Sequence, residues 1–600
     1  MKPKSWQPVS GQIMTQWAQN INPAQPFPEY PRPQMQRSLW QNLNGLWEYT
    51  ITTKHAPQPS EYQGTILVPF AIESALSGVQ RPLKPKERLW YHRTFSMDRD
   101  WKKQRVLIHL GAVDWEANIY LNGLKVGSHR GGYCPFSFDI TESLQAGENE
   151  LVVSVWDPSD HGKQEHGKQV LKPSFIWYSA VSGIWQTVWL EVVPTDHITS
   201  LKMTPDIDKE TINLLAFTSK QSSDLRIQAI VKDGKRTVVE VEGAADATME
   251  IHIPSVKLWS PDSPHLYDLE MKLLKAGKVL DQVASYFGMR KFSLGTDSNG
   301  VPRLCLNNKP IFQYGLLDQG YWPDGLYTPP SDEAMRYDIE FCKQAGFNMI
   351  RKHIKVEPAR YYYYCDKIGI ILWQDMINGG KTPNLIWSLL AKSRTKFKDT
   401  KKYSRSGRHS KDNRKRYRQE LKEMIDLLYN VVSIGLWVPF NEGWGQFNAE
   451  EIANWVKNYD PTRLVDHASG WFDQGAGDCR SLHTYFKRLS PAPFEKKRAT
   501  ILSEFGGFSL SLPGHNWKKN KQFGYKNFKN REALTRAYKS LLESELLPWV
   551  KKGLSAAVYT QTTDIEGEIN GFLSYDRKVI KIDPQSVVEL HKRLYEESPH

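Results

Sequence analysis

The rhythm of hydrophobic and polar positions changes twice along the chain. Residues 1–36 show no period; Pro and Gln dominate "NPAQPFPEYPRPQMQ", which predicts an extended lead-in. From Leu39 to about Val193, short apolar or alternating runs are separated by turn residues, as in "RLWYHRTFSM", "RVLIHLGAVDWEANIYLNGLKVG" and "ELVVSVWD". Period two without a helical stretch predicts a β-sandwich of jelly-roll type over 37–195, with Asn122-Gly123 turning a hairpin. Residues 196–291 repeat the strand–turn–strand grammar in "RIQAIVKDG", "ATMEIHIP" and "LYDLEMKLLKAGKVLDQVASYFG", a second, immunoglobulin-like sandwich with "KAGK" as a turn.

After Phe292, strands alternate with helices. Apolar runs at 311–315, 347–354, 369–375, 432–440, 463–467, 481–485, 500–504 and 554–561 predict eight strands. In the first helix Ser331 caps, Asp332 and Glu333 suit the positive end, Met335, Ile339 and Cys342 share a face, and Gly346 stops the turn. Eight strands with intervening helices, reduced to loops between the fifth, sixth and seventh, predict a (β/α)₈ TIM barrel over 292–600.

Composition narrows the function class. With 600 residues, several cores are needed; 40% hydrophobic and 24% charged residues fit a soluble globular chain. The 21 Trp, 27 Tyr and 23 Phe are rich, and aromatic rings suit the C–H faces of sugars. Five scattered cysteines without a CxxC pair exclude a disulfide framework and a cysteine zinc site. No run of 18 apolar residues spans a membrane, and the N-terminus lacks an apolar signal core. The expected compartment is therefore cytoplasmic, or periplasmic or extracellular if a signal was removed. Of the formal net charge of +13, a local +11 lies between Lys392 and Arg418. A nearly neutral body with one basic segment argues against nucleic acid and for a local feature, either a solvated loop or a site for an anionic glycan. "DHGKQEHGKQ", with His161 and His166, reads as a polar loop.

In a barrel of this kind, chemistry sits at the C-terminal strand ends. Those ends carry Arg351 and His353, Trp373 and Asp375, Asn441 and Glu442 (followed by Trp444), His483 and Tyr485, Glu504, and finally Tyr559, Gln561 and Asp564. Two glutamates on nearly opposite strands, ringed by aromatics, are what glycoside hydrolysis needs: one protonates the leaving oxygen while the other attacks or activates water. With "GAVDWEANIYLNGLKVGSHRGGYCPFSFDIT", "SGIWQTVWLE", "LWSPDSPHLYDLEM", "FGMRK", "GFNMIRKHIKVEPARYYYYCDKIGIILWQD", "NEGWG" and "SEFGG" in order, residues 36–600 resemble glycoside hydrolase family 2, which includes β-galactosidases, β-glucuronidases and β-mannosidases. The resemblance implies a retaining mechanism with Glu442 as acid/base and Glu504 as nucleophile. It further implies Tyr485 bonded to the nucleophile and Asn441 reaching the sugar 2-hydroxyl.

Departures bear on specificity. Galactosidases and glucuronidases of the family usually show Arg-x-x-His at the second strand, whereas here His353 stands one place early. "LWQDM" is similar to the mannosidase "VWQDF". Where glucuronidases carry an Asn-x-Lys uronate clamp, this chain has Glu568 and Asn570. A carboxylate there repels a uronate. The expected activity is an exo-β-glycosidase without cofactor or metal, a β-galactosidase on oligosaccharides from a complex, anionic (sulfated) polysaccharide before a β-glucuronidase or β-mannosidase. A noncatalytic carbohydrate-binding protein is the alternative of another class, and a homo-oligomer is compatible with the sequence.

Overall fold

The computed structural model describes residues 6–11, 13–97, 101, 104–381, 398–401, 403–489, 494–518 and 522–599. Two antiparallel sheets, of six and four strands, build the first sandwich between Trp40 and Val193. Trp47, Tyr91, Ile108, Ile119, Val153 and Leu190 fill the space between them. The hairpin falls where expected: Leu121 faces Leu124, with Asn122 and Gly123 at φ 50° and 78°, the conformation that Asn-Gly tolerates best. The second sandwich, between Ile198 and Phe287, has sheets of three and four strands around Ile227, Ala229, Leu269 and Met271.

Alternation between strand and helix begins later than the sequence rhythm suggests. Residues 292–310 first form a three-stranded antiparallel sheet. Its Phe292, Leu304 and Leu306 pack with Trp373, Leu436 and Val558 of the barrel strands, so this sheet plugs the barrel floor.

The barrel strands are β1 (Gln313–Asp318), β2 (Met349–Lys352), β3 (Ile371–Asp375), β4 (Ile434–Val438), β5 (Leu464–Val465), β6 (Cys479–Thr484), β7 (Ala499–Gly506) and β8 (Ala556–Thr560). All eight overlap the predicted runs, with ends that differ by up to three residues, as at the end of β1, 318 against 315. The ladder runs β5-β4-β3-β2-β1-β8-β7-β6. Between β5 and β6 a backbone bond from the Asp478 amide to the Val465 carbonyl at 2.8 Å is supplemented by side chains: the Val465 amide donates to Asp478 Oδ2 at 2.9 Å and the Ser481 hydroxyl to Asp466 Oδ2 at 2.8 Å.

The longer helices among the described residues are α1 (Asp332–Gln344), α2 (Ala359–Ile368), α3 (Lys411–Leu428), α4 (Ala449–Tyr459), α5 (Arg531–Leu541) and α6 (Pro584–Glu596). Ser331 caps α1 by accepting from the Ala334 amide at 3.1 Å, and two acidic residues occupy the positive end. Among the described residues no helix intervenes between β5, β6 and β7. The lead-in straps the domains together: Thr15 donates to Asp324 at 2.6 Å, and Arg32 grips Glu191 at 2.8 Å. Among the described residues no helix is long and apolar enough to cross a membrane.

Candidate active site

The β4 apolar run ends in a turn that sequence alone leaves puzzling. Glu442 adopts φ 51°, a left-handed conformation costing roughly 1 kcal/mol for a residue with a Cβ. Gly443 and Gly445 follow at φ 72° and 69°, and Ser469 accepts the Glu442 amide at 2.9 Å. The turn aims the Glu442 carboxylate across the barrel mouth. Opposite, the ladders of β6 and β7 are offset between Leu482 and His483 and between Leu502 and Phe505. Such irregularities re-aim side chains, and here they fall at His483 and Glu504.

His483 joins the two carboxylates: its Nδ1 lies 2.9 Å from Glu442 Oε1 and 3.5 Å from Glu504 Oε2. One oxygen of each glutamate and one nitrogen of His483 lie within 4.8 Å of one another. The ring has this position because residue 470 is glycine; a Cβ there would meet it at 2.4 Å. The same trio could offer donors to a cation. However, the Glu504 oxygens already accept from Arg351 Nη1 at 3.0 Å and Tyr485 Oη at 2.7 Å.

Burial alone would raise the Glu504 pKa. The charges of His483 and Arg351 and the Tyr485 hydrogen bond outweigh it and hold the carboxyl down at about 2. Glu504 is therefore ionised near neutral pH. Tyr485 is pushed well above the ordinary tyrosine range by burial and remains a neutral donor. Its ring lies flat on Tyr525 with centroids 3.9 Å apart.

Arg351 is a hub rather than a sugar contact. It grips Asp375 with two hydrogen bonds of 3.0 and 2.9 Å and also donates to Ser503, Glu504 and the Asn441 side chain. The guanidinium is fully buried and its donors end on protein. Asp375 is likewise spent on Arg351 and on His353, whose Nδ1 lies 2.6 Å from Asp375 Oδ2. Burial, with Lys168 and Arg351 nearby, holds the His353 pKa well below 6.5. The neutral ring then carries its proton on Nδ1 toward Asp375, and Nε2 offers a lone pair.

The cleft is lined by Glu442, Glu504, Tyr485, Asn441, His353, Trp444 and Glu568 from the predicted set. His483 is not part of this lining but contacts the carboxylates of both Glu442 and Glu504. Four predicted contacts and the strand-end Asp564 lie elsewhere. Trp373 is wholly buried in the barrel floor, donating to Gln313 at 2.7 Å. Tyr559 is buried between Phe505, Tyr538 and Phe572. Gln561 and Asn570 bond each other at 2.8 Å and support Gln319 and Glu568 from behind. Asp564 pairs with the buried Lys581 at 2.6 Å. The physical reason is common to these residues: a strand-end position fixes height on the barrel, and the pleat decides whether the side chain faces the mouth or its supports.

Several lining residues escaped sequence reasoning: Lys168, Ile176 and Trp177 from the first sandwich, and Gln319, Trp471, Tyr525 and Thr560 from the barrel. The aromatic run "SFIWYS" was the available signal for the sandwich contribution. Tyr178, next in that run, donates to Glu568. The "DHGKQEHGKQ" segment is no exposed polar loop: His166 is buried against Trp444, with ring centroids 5.7 Å apart.

The basic segment also differs from a single solvated loop. Arg394, Lys396 and Lys402 lie outside the described residues. Asp399 is buried and accepts from Gln446 and the Ala449 amide, both at 3.0 Å. Arg408 is wholly buried, paired with Glu165 of the first sandwich at 2.7 Å, and donates to the Gly445 carbonyl at 3.0 Å. From Lys411 the segment is the start of α3.

Comparison with known proteins agrees with this architecture. Over 318 residues the chain is 27% identical to a β-galactosidase of Thermoanaerobacter pseudethanolicus, covering 51% of this chain and 42% of that protein. The chain spans about a third to a half of the length of the curated relatives it matches. Among solved structures, a β-D-glucuronidase of Dictyoglomus thermophilum superposes with TM-score 0.71 at 18% identity, covering 94% of this chain and 98% of that one. A β-galacturonidase of Eisenbergiella tayi bound to galacturonate gives 0.69 at 18% identity, covering 94% and 99%. At that identity the likeness establishes the fold. Family models match in sequence order: the glycosyl hydrolases family 2 sugar binding domain at 40–194, the central family 2 domain at 196–290 and the TIM barrel domain at 304–499. The last match ends before Glu504, whose place at the mouth comes from β7 itself. With three domains matched in order over a sandwich–sandwich–barrel structure, the chain belongs to glycosyl hydrolases family 2.

Proposed function

We propose that this protein is a retaining exo-β-glycosidase that releases terminal β-linked sugars, with a β-galactoside as its substrate. The observation that carries the reading is the spacing of the two glutamates. Oxygens within 4.8 Å suit direct attack through a covalent intermediate, for which carboxyl groups stand about 5–5.5 Å apart; an inverting pair needs about 6.5–9.5 Å to admit water. Glu504, held ionised, attacks the anomeric carbon while Glu442 protonates the departing glycosidic oxygen. The resulting α-glycosyl ester on Glu504 is then attacked by water that Glu442 deprotonates, so two inversions leave the β configuration. A noncatalytic sugar-binding protein has no use for an ionised carboxylate buried against a second one.

The galactoside is preferred to a glucuronide because Glu568 occupies the position of the family's uronate clamp; the one lysine of the cleft lining among the described residues, Lys168, lies instead over the ring of Tyr178, whose hydroxyl meets Glu568. The named glucuronidase and galacturonidase neighbours favour uronides as the second reading. A panel of 4-nitrophenyl β-galactoside, glucuronide, galacturonide, mannoside, glucoside and fucoside tests the sugar, and proton NMR of the first product tests retention. An α-configured first product, or no turnover of any member, overturns the reading. The parent glycan in this reading is anionic: Arg130, Lys415, Arg416, Arg418 and Lys422, with Asp412, line a groove beside Trp455 on the barrel flank. Arg130, Arg418 and Lys422 are paired with Glu116, Glu451 and Asp426, which leaves Lys415 and Arg416 as the cations without an ion pair among the described residues. Such a surface steers a polyanion in a salt-dependent way.

A further inference from the structure

We propose that Lys168 is a specificity-determining residue that receives a carboxylate or sulfate group carried by the sugar bound in the cleft. This rests on the glycosidase reading above and names the substrate class more closely. Each carboxylate lining the cleft already has a partner: Glu442 has His483, Glu504 has Arg351 and Tyr485, and Glu568 has Tyr178 and Asn570. Lys168 lines the same cleft, half-buried, and forms no hydrogen bond or ion pair with the described residues. Nζ lies over the Tyr178 ring, 5.8 Å from its centroid, and its charge is also felt by His353 and Asp375 in the cleft wall. An ammonium brings three donors and a full charge, and partial burial strips it of some water without supplying a substitute.

The backbone beside Lys168 is held, so the cation is presented rather than left on a loose loop. Asn378 accepts the Gly167 amide at 2.9 Å, and the Lys168 carbonyl accepts the Tyr178 amide at 2.9 Å. Gly167 sits at φ 61°, and a Cβ there would meet the Tyr133 hydroxyl at 2.9 Å, so only glycine fits this approach. A second unsatisfied donor borders the cleft: the buried Trp444 indole N–H has no partner among the described residues. Charge also fixes where an anion can sit. Tyr178 separates the two signs, its ring toward Lys168 and its hydroxyl toward Glu568. A sugar that directs hydroxyls to Glu568 and an acidic substituent to Lys168 satisfies both ends; the reverse orientation opposes like charges.

The test pairs turnover with binding on the full chain and on Lys168→Met and Lys168→Arg variants, with thermal unfolding to verify the fold. Specificity constants are measured on 4-nitrophenyl β-galactoside, β-galacturonide, β-glucuronide and 6-sulfo-β-galactoside. Calorimetry measures binding of free galacturonate and galactose 6-sulfate. The expected result is that Lys168→Met lowers the anionic-to-neutral ratio of specificity constants at least 30-fold, while Lys168→Arg keeps most of it. The binding arm then tells carboxylate from sulfate. A ratio that moves less than threefold overturns the proposal, as does wild-type protein that turns over the neutral galactoside but neither hydrolyses nor binds any anionic probe. If no glycoside is turned over, the glycosidase reading fails. The proposal then stands or falls on whether galacturonate or galactose 6-sulfate binds in a Lys168-dependent way.

Discussion

Replacing Tyr485 with Phe removes one hydroxyl and leaves the ring stacked on Tyr525. That hydroxyl donates to Glu504 at 2.7 Å and lies 2.8 Å from Thr560 Oγ1. A hydrogen bond to a charged group contributes about 1.5–3 kcal/mol, and one pKa unit corresponds to about 1.4 kcal/mol. Losing it should raise the Glu504 pKa by about one to two units from its value of about 2. The sign follows from the depressed value: the hydroxyl favours the ionised form, so its removal makes the proton harder to lose. Glu504 also lends stability that is full above its ordinary pKa of 4.5 and lost as pH falls toward 2. The acid limb of kcat/KM, which reports the free nucleophile, should therefore shift to higher pH.

Kinetics separate this role from simple binding. Glu504 gives up its charge when the glycosyl ester forms and regains it when the ester is hydrolysed, so the lost donor chiefly slows the second step. With a 2,4-dinitrophenyl glycoside, kcat should fall by about 10–100-fold, KM should fall with it as the ester accumulates, and a burst should appear. The assay is stopped-flow release of nitrophenolate from pH 3 to 8, with circular dichroism to exclude unfolding; the wild-type limb near 2 lies below this window and the variant limb should enter it. A variant whose kcat/KM stays flat down to pH 3, or a change confined to a rising KM, would refute the reasoning and make Tyr485 a uniform sugar contact.

The other roles give sharper contrasts. Glu442→Gln should spare ester formation from dinitrophenyl glycosides, and azide should restore turnover and yield a β-glycosyl azide by NMR; an α-azide would remove Glu442 from the acid/base role. Arg408→Met strands the wholly buried Glu165 and should cost about 3–5 kcal/mol in urea unfolding. Because Arg408 also holds the Gly445 carbonyl, kcat should drop more for poor leaving groups than for good ones. Trp373→Phe should lower stability by about 1–3 kcal/mol through the unpaired Gln313 carbonyl while leaving KM within twofold; a large KM change would return Trp373 to the sugar site. Hydrolysis of an anionic oligosaccharide should slow as salt rises from 20 to about 300 mM, whereas an uncharged aryl galactoside should respond weakly; equal responses would leave the flank groove without a role.

What the sequence made legible follows from the range of each interaction. The eight barrel strands and Glu442, Tyr485 and Glu504 could be read because strand periodicity is local and each sits at a strand end. The antiparallel plug at 292–310 was invisible, since apolar runs such as "RLCL" do not state whether their partner is parallel or antiparallel. The division between cleft and support was also hidden. Arg351 and Trp373 share strand-end heights with true lining residues, yet the first finds Asp375, Glu504 and Asn441 behind the wall and the second finds Gln313 in the floor. Those partners come from other strands, up to 153 residues away, and no pattern along one strand encodes them. Farther still are Lys168 and Trp177, delivered to the mouth by a separate domain. The basic segment shows the same limit from the other side. A run of cations looks uniform in sequence, but Arg408 finds one buried glutamate in another domain and becomes a brace for the turn that carries Glu442, while Lys415 and Arg416, on α3, border the flank groove. Charge density in a sequence predicts a field; only the burial of each partner decides which charges serve the fold and which remain available to a substrate.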